Sequence, residues 1–89
     1  MKISLIIPCY NEEESLLPFY KELNSVTLDM SDYEFEMLFI DDGSKDKTLE
    51  ILKDLAKKDD RIKYISFSKN FGKEAAMYAG FCNSTGVLL

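Results

Sequence analysis

Residues 35–48 read Phe-Glu-Met-Leu-Phe-Ile-Asp-Asp-Gly-Ser-Lys-Asp-Lys-Thr, and this stretch decides the fold. Its first six residues form a short, almost wholly apolar run, which suits a strand covered on both faces of a parallel sheet. An acidic, glycine-containing turn follows, with Asp46 placed to cap a helix. Working outward, the same alternation recurs on both sides. Ile3–Cys9 and Ile62–Phe67 are the flanking strand-like runs. Leu16, Phe19, Tyr20, Leu23 and Val26 recur at helical spacing, with Ser15 expected as N-cap and Pro18 tolerated in the first turn, where its missing N–H costs nothing. Leu49, Leu52, Leu55 and Ala56 mark a second helix whose wet face carries Lys47, Glu50, Lys53, Asp54 and Lys57. A third is expected from Lys73 to about Asn83, built on Ala75, Ala76, Met77, Ala79 and Phe81. Gly80 weakens that helix by about 1 kcal/mol relative to Ala, yet small residues there suit close packing on a sheet. Gly86-Val87-Leu88-Leu89 reads as the start of a fourth strand. The expected fold is α/β, in the order β-α-β-α-β-α, with right-handed crossovers between parallel strands.

Composition narrows the function classes. Eighty-nine residues are room for one domain. The 11 Lys+Arg against 16 Asp+Glu leave a charge of −5, the wrong sign for a nucleic-acid-binding face. Histidine is absent, which removes Ser-His-Asp, Cys-His and His-ligated metal chemistry together. Cys9 and Cys82 stand alone and read as small, partly buried thiols rather than a disulfide or a metal pair. No apolar run approaches the roughly 20 residues needed to cross a bilayer. Met1-Lys2-Ile3-Ser4 leads straight into a strand with no signal-peptide pattern. A soluble, cytoplasmic protein is the expectation.

Ligands of open α/β sheets bind beyond the carboxyl ends of the strands. Three polar segments fall there: Pro8-Cys9-Tyr10-Asn11-Glu12, then Asp41-Asp42-Gly43-Ser44-Lys45-Asp46-Lys47-Thr48, then Ser68-Lys69-Asn70-Phe71-Gly72-Lys73-Glu74. Read singly, each has a plain structural meaning: a strand-to-helix turn, an Asp/Gly turn, a pair of surface lysines. Their joint placement at one sheet edge points to a ligand crevice. Tyr10 offers a flat face on which a base can stack. A carboxylate at the second exit can accept from a base N–H, worth roughly 1.5–3 kcal/mol. Lys73, at a helix N-terminus, is placed to meet a diphosphate. A dinucleotide-binding dehydrogenase would need G-x-G-x-x-G after the first strand, which Pro8–Glu12 lacks. A phosphoacceptor receiver would need its acidic pair after strand one, whereas Asp41-Asp42 follow strand two. A non-catalytic or self-associating α/β module is the remaining alternative.

Pro8-x-Tyr10-Asn11-Glu12, Asp41-Asp42-Gly43-Ser44-x-Asp46-x-Thr48 and Asn70-Phe71-Gly72-Lys73-Glu74-Ala75-Ala76, in this order, resemble the three opening signatures of family-2 glycosyltransferases of the GT-A fold. Phe67-Ser68-x-Asn70-Phe71-Gly72-Lys73-Glu74-Ala75-Ala76 is similar to the polyprenyl-phosphate branch, which includes bactoprenol glucosyltransferases and dolichol-phosphate mannose synthases. The resemblance covers essentially the whole chain. It implies that residues 1–89 are the Rossmann-like front half of a nucleotide-diphospho-sugar transferase domain, cut at the start of the fourth strand. It further implies that Pro8, Tyr10 and Glu12 line the base pocket, that Asp42 recognises uracil or guanine and Asp41 supports the loop, and that Asn11 and Ser44 are also nucleotide-sugar-binding residues. Lys73 would lie near the ribose or phosphates. The implied donor is a UDP- or GDP-sugar and the implied acceptor a polyprenyl phosphate at the cytoplasmic face of a membrane.

The family's Asp-x-Asp metal site follows the fourth strand. The Mg²⁺ or Mn²⁺ of a full-length enzyme, and its catalytic base, are therefore expected outside these residues, and Asp41-Asp42 are not that pair. The 89-residue chain alone is expected to bind no metal and to transfer no sugar. Because the edge at Val87-Leu88-Leu89 would leave backbone groups unpaired, a homo-oligomer is also expected.

Overall fold

The structure, a computed structural model, describes residues 1–88. Seven elements follow in order: β1 (Lys2–Cys9), α1 (Leu16–Asp29), β2 (Glu34–Asp41), α2 (Thr48–Lys58), β3 (Ile62–Ser66), α3 (Lys73–Asn83) and β4 (Val87–Leu88). The strands form one parallel sheet in the order β3-β2-β1-β4. The expected start of the fourth strand is present, and Leu89 lies outside the described residues.

The side-chain alternation of β2 shows why its sequence is apolar throughout. Met37 and Phe39 point to one face, where Cys9, Leu16, Leu52, Leu55 and Ile62 pack with α1 and α2. Leu38 and Ile40 point to the other, against Ile6 and Ala76 of α3. A strand buried on both faces has no polar side to show. Helices thus cover both faces, and the direction of winding reverses between β1 and β4, the switch point at which such sheets leave a crevice.

Four local expectations are corrected. The stripe that α1 buries is Leu16, Tyr20, Leu23 and Thr27, while Phe19 and Val26 are exposed at 43% and 56%. Thr27 can replace an apolar residue because its hydroxyl donates to the carbonyls of Leu23 and Asn24 and accepts from Arg61. Ser15 precedes α1 but does not cap it; its Oγ donates to Glu12 Oε2 at 2.6 Å, away from the helix amides. Cys9 is buried, but Cys82 is exposed on α3 rather than partly buried. The third strand ends at Ser66, one residue early, although Phe67 N still donates to the Asp41 carbonyl.

Two charged networks brace the amino end of the sheet. Arg61 grips Asp59 through Nε (3.0 Å) and Nη2 (2.7 Å) and reaches Asn24 and Thr27 on α1, while Tyr20 donates to Asp59 at 2.7 Å. Glu36, 2% exposed, accepts from Ser4 Oγ, Lys63 Nζ, Thr85 N and Thr85 Oγ1. Its burial would raise its pKa, but the bonds from Lys63, Thr85 and Ser4 prevail and pull it from 4.5 down to about 2. The Arg61 hydrogen bonds, opposed by burial and helped by Tyr20, pull Asp59 from 3.8 to about 2. A carboxyl whose folded pKa lies below its unfolded value stabilises the fold above the unfolded value, and that contribution fades as pH falls towards the folded one. The urea midpoint is therefore expected to fall between about pH 4.5 and pH 2, and less steeply in Glu36→Gln. A midpoint flat over that window would contradict the two networks.

Gly80 explains how α3 lies so close to β1. A Cβ there would sit 2.4 Å from Ile6 Cγ2, and a β-branched isoleucine is stiff at χ1. Overpacking costs about 1–3 kcal/mol against a helix-propensity gain of about 1 kcal/mol. Gly80→Ala is thus expected to lose up to about 2 kcal/mol, although alanine is the better helix former. Urea unfolding that showed a gain would refute the close contact.

Candidate functional site

The three strand exits meet at the carboxyl end of the sheet, and side chains from the second exit bind the backbone of all three. Asp41 ends β2 almost fully buried; its Oδ1 accepts Ser44 N at 3.2 Å, closing the turn, and its Oδ2 faces Ser66 Oγ at 3.5 Å. Ser44 Oγ accepts Asn11 N (2.9 Å), Thr48 Oγ1 accepts Glu12 N (2.9 Å) and Asp46 Oδ2 accepts Glu13 N (3.2 Å). In return Asn11 Oδ1 accepts Lys45 N at 2.9 Å. Asn11 has φ +51°, a left-handed conformation that Asn tolerates better than most residues. The first loop is therefore stapled to the second by four bonds to three successive amides and one returning side chain.

Asp42 does the same for the third exit. Its Oδ1 accepts Phe71 N at 2.8 Å, and its Oδ2 accepts Gly72 N at 3.0 Å and Asn70 Nδ2 at 3.2 Å. Gly43, directly after these aspartates, has φ +72°, and a Cβ there would lie 2.3 Å from the Lys69 carbonyl carbon, so only glycine lets the second and third loops approach this closely. The N-cap position of α2 falls on Lys47 rather than the expected Asp46, and Asp46, one residue earlier, accepts both Thr48 N (2.9 Å) and Thr48 Oγ1 at the first helical residue. Burial tends to raise the Asp46 pKa, but the bonds from Thr48 and Glu13 outweigh it and lower it.

Over this lattice lies an open cleft of about 520 Å³. Pro8, Cys9, Tyr10 and Glu12 form one wall; Asp42, Asn70, Gly72 and Lys73 form the other. Five residues singled out from sequence (Pro8, Tyr10, Glu12, Asp42 and Lys73) thus share one space, and Tyr10 is 42% exposed beside it. Asn11, Asp41 and Ser44 do not line the cleft; they tie its walls together from behind. Asn70, Asp46 and Thr48 belong to the same lattice and were missed as site residues. Asp46 and Thr48 each accept a backbone N–H, whereas Asn70 Nδ2 donates to the carbonyl and carboxylate of Asp42. Lys69 is not aimed at the cleft, since its Nζ stands 5.2 Å over the Phe71 ring.

Three of a carboxylate's roughly four acceptor positions on Asp42 are taken by loop donors, which leaves about one for a ligand. Cys9 offers no nucleophile, because burial, reinforced by the charges of Glu12 and Asp41, pushes its thiol up to about 12. Among the described residues no three Asp, Glu or Cys side chains converge as a metal site. Asp41 and Asp42 are committed to loop donors. A second concavity, about 420 Å³, opens at the amino end of the sheet beside Glu36 and Arg61. The charges of those two residues are already paired with Lys63 and Asp59. No helix among the described residues is long and apolar enough to cross a membrane.

Comparison with known proteins adds names to this geometry. A family model, Glycosyl transferase family 2, matches residues 4–89. The chain is 46% identical over 86 residues to the prophage bactoprenol glucosyl transferase homolog of Escherichia coli (strain K12), over 97% of this chain and 28% of that protein. It is equally 46% identical over 86 residues to the bactoprenol glucosyl transferase of Shigella phage SfX, with the same shares. Among solved structures it superposes on S. aureus TarS in complex with UDP with TM-score 0.72 and 28% identity, over 100% of this chain and 27% of that one. The chain thus spans about a quarter of the length of the relatives it matches.

Asp42→Asn tests the lattice. The substitution replaces an acceptor oxygen by an NH₂ that faces backbone donors, leaving at least one buried N–H unpaired. A loss of about 1–3 kcal/mol is expected, read from urea unfolding with an unchanged m-value. Wild-type stability in this variant would show that the carboxylate is not needed to hold residues 70–72.

Proposed function

The chain belongs to glycosyl transferase family 2, and from that premise we propose that its cleft is the donor site, binding the nucleoside diphosphate of a UDP- or GDP-sugar. The observation that carries this reading is the convergence of Tyr10, Glu12, Asp42 and Lys73 on one cleft at the carboxyl end of the sheet. The cleft is electrostatically sorted. Glu12 and Asp42 can only accept, so they suit the N–H groups of a base or the hydroxyls of a ribose, and they repel phosphate. Lys73, at the amino end of α3, attracts phosphate together with the free amides and dipole of that helix. The nucleotide then lies with its base on Tyr10, held by Asp42, and its diphosphate towards Lys73. A UDP complex of a structural neighbour supports the uridine form of the donor.

Within the whole protein, the reading extends to transfer of a hexose onto a polyprenyl phosphate at the cytoplasmic face of a membrane. The names of the bactoprenol glucosyl transferases, at 46% identity, support that acceptor. When bound, the Mg²⁺ or Mn²⁺ of such enzymes neutralises the departing diphosphate. The residues described here contribute binding and orientation of the donor: Tyr10 stacks, Asp42 accepts, and Lys73 pairs with phosphate.

Titration calorimetry with UDP, GDP, NAD and inorganic phosphate at two ionic strengths tests the proposal. UDP or GDP is expected to bind, and Lys73→Ala to weaken that binding about tenfold at low salt and less at high salt, as a screened charge effect should. Binding of NAD in preference would point to a dinucleotide-binding domain instead, and no nucleotide binding into the millimolar range would leave a non-catalytic or self-associating α/β module.

A further inference from the structure

Two carboxylates, one on β2 and one just past its end, hold both ends of one helix. Glu36 on β2 and Asp42, the first residue after it, continue the parity of Leu38 and Ile40, which face α3. Asp42 binds the amides of Phe71 and Gly72, immediately before α3. Glu36 binds the amide and hydroxyl of Thr85 at 3.1 Å each, two residues after α3 ends. Ser4 Oγ, which donates to Glu36 at 2.9 Å, accepts Gly86 N at 2.9 Å and extends the grip to the entry of β4. Since β1 lies between β2 and β4, Glu36 reaches across a whole strand to do this. Midway, Gly80 rests against Ile6 with no room for a Cβ. A helix of 11 residues, about 16 Å long, that is pinned at both ends and pressed at its middle cannot slide or roll.

We propose that Glu36 is a positioning residue for the cleft: by fixing where α3 ends and β4 begins, it sets the placement of Lys73 at the opposite end of the helix. The proposal rests on the donor-site reading for its consequence in binding, while the clamp itself is a property of the fold. A carboxylate buried this completely is costly unless its acceptor positions are filled. Four donors fill them here, three from Ser4 and Thr85 and one from Lys63, so loss of the Thr85 grip leaves the end of α3 held only through the Ser4–Gly86 bond and the short pairing of β4 with β1. Lys63 and the more distant Lys2 (3.8 Å) supply countercharge from the edge without touching α3.

The experiment compares Glu36→Gln, Thr85→Val and Lys63→Met in the 89-residue chain by UDP titration and amide hydrogen exchange, under conditions where each is folded. Thr85→Val removes one bond to Glu36 with little change of size and serves if Glu36→Gln does not fold. Both are expected to weaken UDP binding roughly fivefold or more, the lower range of a coupling between distant sites. Both should also speed exchange at Phe71, Gly72 and Ala76, at the far end of α3. Lys63→Met is expected to lower stability while leaving UDP affinity and those three amides unchanged. A purely local role would speed exchange at Thr85 and Gly86 alone, with UDP affinity as in wild type, and that result overturns the proposal. If the wild-type chain binds no UDP, the donor reading fails; the exchange at residues 71–76 in Thr85→Val then upholds or overturns the clamp alone.

Discussion

The structure depends on side chains of one loop accepting the backbone N–H groups of its neighbours. Strand exits are where chain direction reverses and ladder hydrogen bonds run out, so each leaves amides that must find partners if they are not to face water. Residues 41–48 provide those partners. Asp41 serves the loop itself, Ser44, Asp46 and Thr48 serve residues 11–13, and Asp42 serves residues 71 and 72. Each bond adds only about 1 kcal/mol net. Their joint effect is to make three loops one rigid surface, with Gly43 admitting the close approach that lets Asp42 reach across. A chain this short has a small core, and the polar lattice holds a site where apolar packing would have filled the cleft.

This arrangement separates what the sequence shows from what only the fold shows. The three strands and the third helix were legible because each apolar run is bounded by polar turns and because a doubly covered strand has no alternation to confuse it. The cleft residues were legible because they cluster at strand exits: Pro8 near the end of β1, Tyr10 and Glu12 just after it, Asp42 just after β2, and Lys73 at the start of the helix that follows β3. The α1 stripe was misjudged at Phe19, Val26 and Thr27, since a hydropathy pattern treats threonine as polar although its hydroxyl is satisfied within the helix. The role of Glu36 was hidden for a different reason. A glutamate inside an apolar strand reads as an interruption until topology brings Ser4, Lys63 and Thr85 around it from residues up to 49 apart in sequence.

The same lattice limits where an anion can be held. At the first exit the amides of Asn11, Glu12 and Glu13 already donate to side chains; at the second those of Ser44, Lys45 and Thr48 do; at the third those of Phe71 and Gly72 do. A ligand cannot use them without breaking the walls of its own site. The first turn of α3 differs, because helix geometry leaves its leading N–H groups without intrahelical acceptors, and the first bond back into the helix here is from Ala76 to Gly72. These amides stand beside Lys73 and at the positive end of the helix dipole. In a chain of net charge −5 whose cleft also holds Glu12 and Asp42, this is the place where phosphate is favoured. Any nucleotide entering the cleft is therefore oriented by exclusion as much as by attraction. On the proposed donor-site reading its diphosphate lies at the start of α3 and its base on the Tyr10 side, where the remaining groups are acceptors.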